Sequence, residues 1–385
     1  MGYSLGFWLD HKEDSQENKA TTPNTVELHI NYWSLESKEK FHYLDIGIKL
    51  GLFDNGLKNI NFYFPFDLSI NDYMANLGEI ISSRDDLLEL IFNEKLKSTK
   101  SGPNFKDVEF QGQGNDYLRV YEELDIVNGE DTVEFHKNND GSTRIIFSSK
   151  LLKRLDGDPN NLFHYMRFRL RLTHENVKKL SQNYDPQDRL VVSKFEKIEV
   201  TDFRINELRD LPGSVCNALN RNFTLKEIHF FLIRDIHDEL KLAHAEYKRC
   251  RLLEKEVWKD YLVFSEKRLV LPTQMLIYHF KETGKKKDEA NYRHLERFNA
   301  FAKFARVKVS AVSLLTFLLS VIILGAWGSI VATLLIENRP EDWYSLLRNF
   351  YVHIITLLIL VGSVGLFLAY LFFRSHRVIN PIQKK

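Results

Sequence analysis

Three arginines stand at alternate positions in Tyr165-Met166-Arg167-Phe168-Arg169-Leu170-Arg171-Leu172. Successive side chains of a strand point to opposite faces, so Arg167, Arg169 and Arg171 share one face. Met166, Phe168, Leu170 and Leu172 then share the other. Three guanidiniums in a row repel unless something anionic neutralises them. Cross-strand acids such as Glu196 and Glu199 are one answer. A phosphate-bearing ligand or a nucleic acid is another, because the guanidinium fork matches phosphate geometry. The row is the candidate anion site, and both readings stay open.

Other patterns fall short of chemistry. Gly284-Lys285-Lys286 lacks the upstream glycine and the hydroxyl of a phosphate loop, and Gly112-Gln113-Gly114 lacks a third glycine. Asp156-Gly157-Asp158-Pro159 has the acids of a calcium loop without its spacing or terminal Glu. Glu36-Ser37-Lys38 could close a nuclease signature, but the acid required on an earlier strand is missing. The 13 histidines show no HxH or HxxxH spacing, and Cys216 and Cys250 are too far apart in sequence for a CxxC site. There is no Gly-x-Ser-x-Gly elbow. The reading is a protein with no catalytic residues, no metal and no cofactor.

The elements that must position the arginine row are mostly strands. Phe accounts for 28 of 385 residues, which favours sheet. Val26, Leu28, Ile30 and Tyr32 alternate with polar residues, as do Leu44, Ile46, Ile48 and Leu50. Asp54-Asn55-Gly56 predicts a hairpin from there to Ile60, Phe62, Phe64 and Phe66. Asn139-Asp140-Gly141 predicts a second, between Val133–Phe135 and Ile145–Phe147. Further strands fit Phe163–Leu172, Val191–Ile205 and Glu227–Ile233, an αα pair fits Asn71–Ser82 and Arg84–Leu96, and Lys97–Asn115 reads as a long loop. The fold class expected is α+β, with an antiparallel, sandwich-like β domain over residues 1–235.

Residues 236–308 read as a helical connector. Ile236, Leu240, Ala243, Tyr247, Cys250, Val257 and Tyr261 follow heptad-like steps, and Tyr292, Leu295, Phe298, Phe301 and Phe304 suggest an amphipathic helix at a membrane surface. Two charge-free runs follow, 309–336 and 349–373, joined by 337–348 and followed by a basic tail over 374–385. Roughly 20 apolar residues cross a bilayer core, so both runs predict transmembrane helices. Lys and Arg crowd the outer flanks of the pair, which predicts a multi-pass protein of the bacterial inner membrane with its N-terminal domain and C-terminus in the cytoplasm. The absence of an export signal at Met1–Asp10, and the cysteine count of two, agree with that compartment. Gly328 with Ala332, and Gly365 with Ala369, are small residues four apart and candidates for helix packing.

The net charge of +1 sets no bulk field toward a polyanion. In its order of parts, a body to Asp235, a connector and the runs 309–336 and 349–373, the chain resembles the two-transmembrane effectors of bacterial anti-phage defence systems, retron or cyclic-oligonucleotide type. That resemblance implies a body that senses a ligand or partner, and hairpins that oligomerise to disrupt the inner membrane. The partners expected are the lipid bilayer, further copies of the chain, and a phosphate-bearing ligand, nucleic acid or regulatory protein complex. The competing reading is an adaptor that binds a protein partner and disrupts nothing.

Overall fold

The structure is a computed structural model. It describes residues 3–11, 25–34, 42–51, 57–112, 116–124, 133–152, 158–185, 195–219, 224–244, 247–263, 274–286, 293–307 and 311–337, with 351, 354, 355, 358 and 362. The first strands are β1 (Gly6–His11), β2 (Thr25–Ser34), β3 (His42–Gly51), β4 (Leu57–Phe64) and β5 (Tyr73–Asn76). Next come α1 (Leu77–Ser82), α2 (Asp85–Phe92), β6 (Leu96–Gly102), β7 (Phe105–Phe110), β8 (Tyr117–Tyr121), β9 (Val133–Lys137) and β10 (Thr143–Ser148). The middle of the chain holds β11 (Leu162–Leu172), α3 (His174–Leu180), β12 (Ser181–Tyr184), β13 (Glu196–Ile205), α4 (Gly213–Leu219) and β14 (Thr224–Asp235). Then follow β15 (Glu239–Ala243), β16 (Arg249–Leu252), α5 (Lys255–Val263), β17 (Met275–Thr283), β18 (Lys285–Lys286), β19 (Arg293–His294), β20 (Phe298–Val307) and α6 (Ala311–Glu337).

The largest sheet runs β16-β17-β14-β2-β3-β11-β8-β7-β6, and β5 shares the second edge of β11 with β8. Only the β14–β2 and β11–β8 pairings are parallel among the described pairs of this sheet. A second sheet, β1-β4-β10-β9, lies against its apolar face. There Phe168 of β11 meets Phe147 and Phe62 at ring-centroid distances of 4.9 and 6.3 Å. A third sheet, β12-β13-β20-β15, joins the same core where Phe203 stacks on Phe230 at 4.3 Å. The other face of the large sheet is also buried, under α1, α2 and α5, whose Leu77, Ile81, Leu87, Leu88, Trp258 and Leu262 form a second core. β3 accordingly has nine of its ten residues buried.

The chain divides into two compact units, Met1–Tyr184 with Ile198–Arg306, and Asp185–Lys197 with Val307–Lys385. In the second, Phe195 makes an edge contact with Phe317 of α6.

Several expectations are corrected here. The fold is β-rich well past residue 235, and the helical connector gives way to β15, β16, β17 and β20, with α5 its one helix among the described residues. Phe298 and Phe304 are six residues apart, which puts them on one face of a strand but roughly 120° apart around a helix. The small Ala300 and Ala302 between them are buried while Phe301 is only half-buried, and β20 therefore has period two. The heptad-like stripe is scattered over a turn, two edge strands and α5, where only Val257 and Tyr261 share a helix.

The two-helix membrane hairpin is also corrected, and with it the transmembrane assignment and the inner-membrane placement. Among the described residues no helix is long and apolar enough to cross a membrane. α6 covers most of the first apolar run. The second run is described at five positions alone.

Turn chemistry was a better guide to direction than to partners. β3 and β4 lie in different sheets, so they form no hairpin, and Asp54-Asn55-Gly56 lies outside the described residues. β9 and β10 do pair, with Gly141 at φ +76° in the tight turn between them. The segment read as a long loop contains the β6–β7 hairpin, turned by Pro103 and Asn104, the latter at φ 62°.

Phe168 is fully buried among Tyr73, Phe147 and Phe62. Phe168→Ala is expected to lower unfolding free energy by about 3–5 kcal/mol, measured by urea denaturation; a loss below about 1 kcal/mol would place Phe168 outside the core.

Candidate functional site

The arginine row lies on the helix-covered face of the large sheet. Pairing with β3 sets Arg167 opposite Gly47, Arg169 opposite Asp45 and Arg171 opposite Tyr43. Arg169 and Asp45 are fully buried, and Arg167 is 2% exposed. Arg169 Nε and Nη2 donate to Asp45 Oδ1 and Oδ2 at 2.7 and 2.9 Å, a bidentate pair. Its Nη1 donates to the carbonyls of Tyr261 and Leu262, both at 3.2 Å. Those carbonyls close the last turn of α5, where a helix end favours a cation. The guanidinium also lies over the rings of Tyr261 and Tyr43, 5.0 and 5.2 Å from their centroids.

Asp45 serves more than one donor. Trp33 Nε1 donates to its Oδ2 at 2.6 Å, and the Tyr261 hydroxyl donates to the same atom at 2.8 Å. Tyr261 in turn accepts from Arg167 Nε at 2.8 Å, and Arg167 Nη1 donates to the Tyr165 hydroxyl at 2.9 Å. Burial holds the Tyr165 and Tyr261 phenols above their ordinary pKa, so both stay neutral. A Cβ on Gly47 would stand 2.3 Å from the Tyr165 hydroxyl, so this position of β3 needs glycine for Tyr165 to lie across it.

A second polar group continues along the same rows. His29 of β2 lies opposite Gly47 on one side and His229 of β14 on the other. His229 hydrogen-bonds His279 at 3.2 Å and Glu227 at 3.1 Å, and Lys281 pairs with Glu227 at 2.5 Å. The hydrogen bond to His229, aided by Lys281, draws the Glu227 carboxyl down to about 2 despite partial burial. Burial, then the charges of His229 and Lys281, holds His279 down at about 3. Burial, then His229 and Arg167, holds His29 well below the usual imidazole range.

The acids expected to neutralise the row stand on a strand of another sheet. Glu199 lies on β13 of another sheet, where Arg234 Nη1 and Nη2 reach it at 2.5 and 2.9 Å, and Glu196 opens the same strand. Asp158, considered for a calcium loop, instead accepts from Arg119 at 2.8 Å. Arg171 is half-buried at the end of the row. Gly328 and Ala332 fall within α6, and a Cβ on Gly328 would meet nothing within 4 Å; Gly365 and Ala369 lie outside the described residues. Glu36-Ser37-Lys38 also lies outside them. Asp45, Trp33, Tyr165, Tyr261 and the histidines were not foreseen. For Asp45 a signal existed: a lone acid on the polar face of an otherwise apolar strand, in the phase that faces the arginines.

Chemically the layer is a neutralising network. Among the described residues no three His, Cys, Asp or Glu side chains converge as a metal site would, and Cys216 and Cys250 are free thiols.

No family model matches the chain, and no curated protein matches its sequence. Among solved structures it is similar to the Fcho1 Mu homology domain of Danio rerio with bound Eps15 peptide, at 5% identity over 80% of this chain and 81% of that one. The TM-score is 0.15, a likeness too slight to carry an argument.

Two predictions test the layer. Asp45→Asn leaves Arg169 buried without its counter-charge and is expected to destabilise by about 3–5 kcal/mol. Adding Arg169→Met should recover part of that loss in urea melts; no recovery would show that the two side chains act separately. The second is acid sensitivity. His29, His279 and His42, the last drawn to about 4 mainly by burial, stay neutral when folded. The unfolded chain takes up protons at these residues near pH 6.5, so their contribution is complete above that value and is lost as pH falls toward 4 and then 3. Glu227 adds a loss between about 4.5 and 2. The thermal midpoint should fall steadily from pH 7 to pH 4, less steeply in His279→Gln; a flat profile would contradict the buried neutral imidazoles.

Proposed function

We propose that the chain is a non-catalytic adaptor that takes an extended segment of a partner protein onto one edge of its sheets. The expected effector role rested on two spanning helices, which the described residues do not supply. The adaptor reading needs only a binding surface.

The observation that carries it is the contrast between sheet edges. β6 ends the large sheet with Lys97, Ser98, Thr99, Lys100 and Ser101 all exposed. Lysines and hydroxyls on a bulged edge are a guard against strand addition. The opposite end differs. β16 ends the large sheet, β15 ends the third sheet, and the two are consecutive in the chain. There Leu242, Leu252 and Tyr247 are 55, 49 and 38% exposed. Free strand edges offer backbone donors and acceptors to an incoming strand, and the leucines offer it an apolar seat. Lys248, Arg249 and Arg251 stand beside them. Glu239 is occupied by Lys241 at 2.7 Å, so the local surplus is positive. The chemistry fits an extended partner segment in which acidic and apolar residues alternate.

Panning a library of ten-residue peptides on the full chain should enrich such alternating sequences. Leu242→Lys with Leu252→Lys should weaken their binding at least tenfold, about 1.4 kcal/mol, by fluorescence polarisation. Binding unchanged by that double substitution, or no enrichment, would reject the edge as the docking surface.

A further inference from the structure

We propose that the buried guanidinium of Arg167 holds a small inorganic anion of halide size against its Nη2 atom. Arg167 is 2% exposed, and a charge so far from water needs a counter-charge. Its hydrogen bonds go to two phenols, Tyr261 from Nε and Tyr165 from Nη1. Both phenols are neutral, as burial requires, so neither supplies a negative charge. Asp45 is fully buried beside them but is engaged by both forks of Arg169, by Trp33 and by Tyr261. Two guanidiniums thus share one carboxylate, and among the described residues Arg167 is the one without a salt bridge.

Among the described residues Arg167 Nη2 is buried with no hydrogen-bond partner, and so is Nδ1 of His29. The two residues lie on one cross-strand row on either side of Gly47, over which the Tyr165 phenol lies. Asn31 Oδ1, one row away, is likewise buried without a partner among the described residues. Neutral His29 can donate from Nδ1, as an anion requires. A water would satisfy Nη2 but leave the positive charge; a monatomic anion does both. The Tyr165 hydroxyl crowds the gap over Gly47, which favours a halide over a phosphate. This inference is independent of the peptide-binding edge.

Crystals of the full chain grown in sodium bromide, with data collected at the bromine absorption edge, should show an anomalous peak within hydrogen-bonding reach of Arg167 Nη2. In solution, the thermal midpoint should be higher in sodium chloride than in sodium gluconate at equal ionic strength, by about 2–4 °C. Arg167→Met should abolish that difference. Should that variant fail to fold, the bromide map of the native chain decides alone. Bromide found at surface positions only, or a non-anomalous water beside Nη2, would overturn the site.

Discussion

Asp45 and Arg169 meet across β3 and β11 with neither side chain exposed. Removing both ions from water costs several kcal/mol each, and their attraction repays it only when every remaining lone pair and proton is also satisfied. That condition reaches well beyond the two strands. Trp33 and Tyr261 complete the carboxylate, while two carbonyls of α5 and two aromatic faces complete the guanidinium. Tyr261 lies 216 positions from Asp45 in sequence, so α5 must lie on this part of the sheet for the pair to be stable. Gly47 follows from the same demand, since a side chain there would displace the Tyr165 hydroxyl that Arg167 requires.

The ion pair also explains why the large sheet is buried twice over in two different manners. On one face Leu28, Ile46, Ile48, Phe168 and Phe230 meet the other two sheets in an apolar core. On the other, polar groups alternate along the same strands and need donors and acceptors that a second sheet, with its backbone already paired, could not offer. A helix end supplies free carbonyls, and α5 presents them where the guanidinium lies. Helices on this face are therefore a consequence of the charges on it.

This division sets how much was legible in advance. The common face of Arg167 and Arg169 followed from alternation alone, as did the apolar phase of β2, β3 and β11. Their neutraliser did not, because cross-strand pairing depends on strand order, and β3 rather than β13 is the neighbour of β11. Strand order was hidden for a local reason too: an Asn-Gly pair in sequence suggests a two-strand hairpin, yet β3 and β4 lie in separate sheets. The even spacing of Phe298 and Phe304 already suits a strand better than a helix, and the burial of the alanines between them bears this out.

Where the acids are used inside also decides what the outside looks like. Asp45, Glu199, Asp238 and Glu227 are each engaged by a basic side chain within the fold. A chain with a net charge of only +1 can therefore still present a basic edge, because a sum over residues does not report their distribution. Lys248, Arg249 and Arg251 lie on β16 or just before it, while nearby acids such as Glu227 are held by His229 and Lys281. Where β6 exposes only lysines and hydroxyls, that edge exposes leucines among its basic residues. An edge that sets exposed leucines among basic side chains offers both an apolar contact and a charge to pair, the two features that the proposed strand recognition would use.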